Sequence, residues 1–140
     1  MKQFLPIPFG ILLAVIACSS DTTEQQDLGL KPPSELALLM RDMTTYADST
    51  RSLLMRGGAP LPFPKDHARM HTATATDDHL DRATFTAFAD NYLAQLKVFN
   101  EAAPEDRKRT FNAVINACAS CHNNVCPGPM VRIKKLYVPL

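Results

Sequence analysis

The sequence predicts an all-α domain, an antiparallel bundle of three long helices plus a short or irregular second element, with its chemistry on the last helix. Three observations predict it. Apolar residues recur at three- and four-residue steps in three separate stretches. No strand pattern competes with them. Proline and glycine clusters fall between the first two stretches, where a helix has to stop.

The chain has 140 residues, enough for one compact domain and too few for two. It carries 15 Lys and Arg against 14 Asp and Glu, and loss of Lys2 with a leader would balance the two sets. A neutral surface offers no electrostatic footprint for nucleic acid.

Residues 1–17 read as an export signal. Lys2 is the positive start, and the apolar run from Phe4 to Ile16 is shorter than the ~20 residues a membrane-spanning helix needs. Val15-Ile16-Ala17-Cys18 resembles a lipobox, which makes Cys18 the lipidated first residue of the mature protein; the plain alternative is a secretory signal cut near Ala17 or Ser19. By resemblance to such lipoproteins, Ser19 and Ser20 after the cysteine point to the outer rather than the inner membrane. Either way the domain works on the periplasmic side of the envelope. Residues 18–33 are polar and lack apolar periodicity, so they read as a flexible tether.

The helical domain occupies residues 34–140. Ser34 is positioned to cap a first helix whose stripe runs Leu36, Leu39, Met40, Met43, Tyr46, Ala47, Thr50, Leu53 and Leu54, ending at Gly57-Gly58. Pro60, Pro62 and Pro64 exclude a regular helix next; His67 to Met70 suit one turn, and His71 to Thr76 an extended run. A second long helix is predicted from Asp77, capped by Thr76 or Asp77, with Phe85, Phe88, Tyr92, Leu96 and Phe99 buried. Pro104, followed by Glu105 and Asp106, opens the third, whose stripe is Phe111, Val114, Ile115, Cys118 and His122. Short connections predict antiparallel neighbours.

Cys118-Ala119-Ser120-Cys121-His122 is a C-x-x-C-H motif, the signature of covalent haem c attachment. On a helix, residues three and four apart share a face. Two thioethers from Cys118 and Cys121 and an imidazole from His122 therefore reach one porphyrin, with His122 as proximal iron ligand. A redox dithiol would belong beside a βαβ pattern, which is absent. A zinc site would need a second ligand pair, and Cys126 with His122 would crowd one turn. A disulfide sits awkwardly inside the helical stripe. With lipid on Cys18 and haem on two thiols, Cys126 is left over and is expected to be a buried small residue held by Pro127-Gly128-Pro129, with an intermolecular disulfide or a redox role as the other readings. Lys134 and Lys135 are expected on a solvated face, with haem propionates or an acidic partner as the other reading.

A C-x-x-C-H near the C-terminus, on the last helix of an all-helical domain, resembles the cytochrome c-prime family. Leu39-Met40-Arg41-Asp42-Met43 and Met55-Arg56-Gly57-Gly58-Ala59-Pro60 are similar to the ends of the first helix in its low-spin members. The likeness spans roughly residues 34–60 and 78–122. It departs at the second helix, which the proline segment shortens or replaces, and at the chain beyond Cys126. It implies a helical bundle, one haem, and a homodimer paired through the first two helices.

The distal iron ligand decides what such a haem does. An antiparallel bundle brings the end of the last helix beside the start of the first, near Met40 and Met43. The resemblance points to Met40. Met43 is more central on the stripe, and core filling is the ordinary use of either. His67 or His71 would give bis-histidine ligation, with solvated loop positions as the plain reading; His79 is expected exposed in a first helical turn. A sixth ligand implies an electron carrier serving redox partner proteins at the envelope, tethered to the membrane through its lipid. An open sixth position implies a protein that binds or senses nitric oxide or carbon monoxide. No acid–base pair suggests a peroxidase-like enzyme.

Overall fold

The computed structural model describes residues 32–77 and 79–140; the predicted signal, Cys18 and the tether as far as Lys31 lie outside the described residues. Helix α1 spans Glu35–Met55. The Ser34 hydroxyl accepts from the Ala37 N–H at 3.2 Å, filling one of the donors a helix start leaves unpaired. At the other end Gly57 takes φ 73°, a conformation that costs glycine little. Gly58 N–H then bonds back to the Leu53 carbonyl at 2.9 Å and Gly57 N–H to that of Leu54 at 3.1 Å, closing the helix as a Schellman motif. Leu36, Leu39, Met43, Ala47, Thr50 and Leu54 face inward.

Residues 56–81 return the chain to the end where α1 began. Their middle forms a 3₁₀ helix, Lys65–His71. Their far part is tied to the head of α1: Leu36 N–H donates to the Thr74 carbonyl at 2.9 Å, and Thr74 N–H to the Glu35 carboxylate at 3.0 Å. The stretch from Thr72 is irregular rather than a regular extended run.

Helix α2, Arg82–Asn100, starts later than predicted. The Asp77 carboxylate does not cap it but accepts from His79 N–H at 2.8 Å, closing a local turn, as aspartates commonly do. Asp81 is the true cap, accepting from Ala83 N–H at 3.0 Å and from the Thr84 hydroxyl. His79 is exposed as expected, though ahead of the helix. Phe85, Ala89, Tyr92, Leu96 and Phe99 are buried, and Phe88 is half-buried.

Pro104–Asp106 forms a 3₁₀ turn that leads into α3, Arg107–Val125. Here the connection is short, and α2 and α3 pack as an antiparallel hairpin. Phe99 near the end of α2 meets Phe111 near the start of α3, ring centroids 5.4 Å apart and 61° between planes. The α1–α2 connection is long instead, so those two helices begin at the same end and the irregular segment serves as the return leg between them. No strand occurs among the described residues, and no helix among them is long and apolar enough to cross a membrane.

Beyond α3 the chain folds back through a short helix α4, Met130–Ile133, and a 3₁₀ turn, Lys134–Leu136. Ile133, Leu136 and Val138 enter the core, while Lys134 and Lys135 are exposed, as the solvated-face reading expects. The side-chain amide of Asn112 acts as a substitute strand: it donates to the Val138 carbonyl at 2.9 Å and accepts from Val138 N–H at 3.0 Å. Tyr137 Oη donates to Asn116 Oδ1 at 2.7 Å, and Arg51 Nε donates to the Tyr137 carbonyl at 3.3 Å. Replacing Asn112 by alanine removes both amide bonds at once and is expected to cost about 1–3 kcal/mol, read as a lower urea midpoint with an unchanged slope.

Candidate functional site

The end of α3 and the head of α1 enclose the candidate site. Three adjoining hollows, of about 760, 220 and 20 Å³, each have both Met40 and His122 in their walls. Cys121 borders the second and third, and Cys118 the third. The i, i+3 and i+4 spacing within α3 gives the two sulfurs and the imidazole this common side.

His122 is anchored by its own helix end. Helix α3 stops at Val125, and Cys126 N–H still reaches the His122 carbonyl at 3.2 Å. The Cys126 carbonyl then lies 2.9 Å from His122 Nδ1 and can only accept, so the ring proton belongs on Nδ1. In the neutral ring the lone pair is then on Nε2, the form in which a histidine binds a metal; a backbone carbonyl on the other nitrogen is a common way of fixing that tautomer.

The sulfurs lie in apolar surroundings. Burial pushes the Cys118 thiol up to about 12, with Cys121 nearby adding to the effect. Burial also raises Cys121, and Cys126 contributes. A redox dithiol needs the opposite, a thiol whose pKa is lowered by cations or a helix N-terminus. Among the described residues no group of three or more His, Cys, Asp and Glu side chains is placed to hold a metal ion, so a zinc site built from protein ligands alone finds no donor set there. Uncharged sulfurs against apolar walls suit thioethers, which carry no charge to desolvate. The donor set therefore fits a haem: two sulfurs, one imidazole with its tautomer fixed, and a thioether of Met40 across the same hollows.

Met40 and Met43 separate clearly. Met40 is half-buried and borders all three hollows, while Met43 is buried in the core and borders only the smallest. Arg41, Arg132 and Lys135 stand in the wall of the largest hollow and give its rim a positive charge. Sequence reading did not single out Arg41 or Arg132, because nothing in the spacing of the tail showed that it folds back.

Two expectations fail. His67 is not a solvated loop residue but fully buried at 0 % exposure. Its Nδ1 lies 2.8 Å from Tyr92 Oη, and its ring meets Tyr46 edge-on at 5.3 Å. The signal was Tyr92, whose hydroxyl, carried into the core on an apolar stripe, needs a partner. Cys126 is exposed rather than buried, because its backbone leaves the helix in an extended conformation before Pro127. His71 is exposed, with Nε2 3.3 Å from the Asp90 carboxylate. Neither His67 nor His71 borders the hollows around His122.

In chain prepared without haem, alkylation at pH 8 followed by peptide mapping should label exposed Cys126 first and Cys118 last. A thiol pKa of about 12 leaves roughly one thiolate in ten thousand at that pH. Equal rates at the three positions would contradict a Cys118 thiol held protonated by its apolar surroundings.

No protein-family model, curated protein or solved structure matches the chain, so the reading that follows rests on the side chains themselves.

Proposed function

We propose that this chain is an exported, lipid-anchored electron carrier that would hold one haem c through Cys118 and Cys121, with His122 and Met40 as its iron ligands. The observation that carries the reading is the His122 ring. Its Nδ1 is committed to the Cys126 carbonyl at 2.9 Å, within a C-x-x-C-H motif whose histidine shares every hollow of the site with Met40. A haem iron held by imidazole and thioether supplies one-electron chemistry, with methionine favouring the ferrous state.

The chain's own residues do the rest. Cys118 and Cys121 tie the macrocycle to α3, so a small domain need not hold it by packing alone. The cationic rim of Arg41, Arg132 and Lys135 stands where anionic propionates or an acidic redox partner would be favoured. Three long helices with an irregular second leg suit the cytochrome c-prime type of bundle that the motif resembles, and a homodimer paired through the first two helices is part of that reading. Cys18 would hold the protein to the envelope, where membrane-bound redox partners are within reach of its tether.

Haem staining that survives a denaturing gel, from a host able to mature c-type cytochromes, is the expected result. A Cys118→Ala, Cys121→Ala double variant should lose it. The oxidised and reduced spectra should be low-spin and six-coordinate. Substituting Met40 by alanine should convert them to high spin and lower the potential. Rapid carbon monoxide binding to the reduced parent protein, with no ligand to displace, would make it a gas-binding haem protein instead.

A further inference from the structure

His67 is buried on the far side of Tyr92 from the candidate site, among groups from three elements. From α2, Tyr92 Oη lies 2.8 Å from Nδ1. From α1, Tyr46 packs edge-on, and the Asp42 carboxylate stands 3.9 Å from Nε2. Its own 3₁₀ turn adds Asp66, so the charged groups acting on the ring are both acidic. Nε2 is fully buried and has no hydrogen-bond partner among the described residues. Asp42 is 69 % exposed at its side chain and forms the link to water.

On its other side Tyr92 borders the smallest hollow together with Met40, Cys118, Cys121 and His122. Burial holds its phenol proton far above the usual range, so Tyr92 stays neutral and either donates or accepts. The order Asp42, His67, Tyr92 thus runs from solvent to the wall of the site.

Resting on the haem reading above, we propose that His67 is a redox-linked proton acceptor, taking one proton from water when the haem gains an electron and returning it on oxidation. The step balances. One electron from a protein redox partner reduces ferric to ferrous iron, one proton from water converts neutral His67 to imidazolium, and no bond to carbon or sulfur changes. The cause is electrostatic: an added negative charge one side chain away, in surroundings largely cleared of water, favours the cationic ring. Asp42 and Asp66 favour it too. The imidazolium carries a hydrogen on both nitrogens, so Nδ1 then donates, Tyr92 Oη accepts, and the tyrosine's own O–H is available to the hollow it borders.

Linkage fixes the sign. If reduction raises the proton affinity of His67, protonation makes reduction easier, and the potential rises as pH falls. Burial lowers the pKa of the ring, so the window opens on the acid side of the ordinary histidine value of about 6.5, and reduction carries its upper end toward higher pH.

The test is the midpoint potential of the haem-loaded full chain from about pH 4 to 8, a range that brackets histidine titration. Within the window the reduction equilibrium should change up to tenfold per pH unit, about 59 mV for one electron, and above it the potential should level off. His67→Gln keeps a side chain able to bond Tyr92 and should abolish that dependence. Asp42→Asn, on an exposed residue, should move the window to lower pH, and it serves if the histidine variant does not fold. A potential independent of pH in the parent, the parent's slope retained in His67→Gln, or an Asp42→Asn curve superimposed on the parent's would each overturn the proposal while leaving the cytochrome reading intact. A chain that matures without any c-type spectrum would instead overturn both.

Discussion

The rings of Phe99 and Phe111, 5.4 Å apart where α2 gives way to α3, set the register of everything at the opposite end of the hairpin. With those rings engaged, α3 runs back along α2 through Ile115, Ala117 and Cys121 and reaches the end where Phe85 is buried. One helical turn more or less in that return would swing His122 away from Met40. The core positions allow little slippage, because Leu96, Phe99, Phe111 and Ile115 are all exposed by 1 % or less, and close-packed interiors do not absorb a shift of whole side chains.

The C-terminal segment closes the largest hollow from outside the hairpin. Its backbone has no strand to pair with, and a buried, unpaired peptide group is costly. Asn112 answers this with a side chain that presents the same donor and acceptor as a peptide unit, while Tyr137 and Arg51 hold the next link of the chain. Those bonds bring Arg132 and Lys135 to the rim of the hollow and let Ile133, Leu136 and Val138 complete the core. Fold and site therefore share the same anchors.

What was legible in the sequence follows from which interactions are local. The three long helices carry stripes at helical spacing, and Ser34 and the Gly57-Gly58 stop are local chemistry, so these elements were readable. The start of α2 was not, because Asp77 and Asp81 are equally good caps on paper and only the turn to His79 N–H separates them. The C-x-x-C-H motif is local too, but the use of Cys126 is not: its side chain points outward while its carbonyl, invisible to a reading of side-chain types, holds the imidazole. The folding back of the tail was not readable, because Ile133, Leu136 and Val138 follow no single period. Nor was the burial of His67, because its partner lies on α2, beyond the whole irregular segment.

The two best-held histidines make a useful contrast, since each uses Nδ1 and each leaves Nε2 without a hydrogen bond among the described residues. For His122 the partner is a carbonyl, which can only accept. In the neutral ring the tautomer is then fixed, with the Nε2 lone pair beside an open hollow, an arrangement suited to a metal. For His67 the partner is a hydroxyl, which donates or accepts as required, and Nε2 looks toward a carboxylate across a gap too long for a direct bond. That pairing leaves the protonation state of the ring open to outside influence. The same side chain thus meets a carbonyl in one case and a phenol in the other, and only the phenol can exchange donor and acceptor roles with the ring.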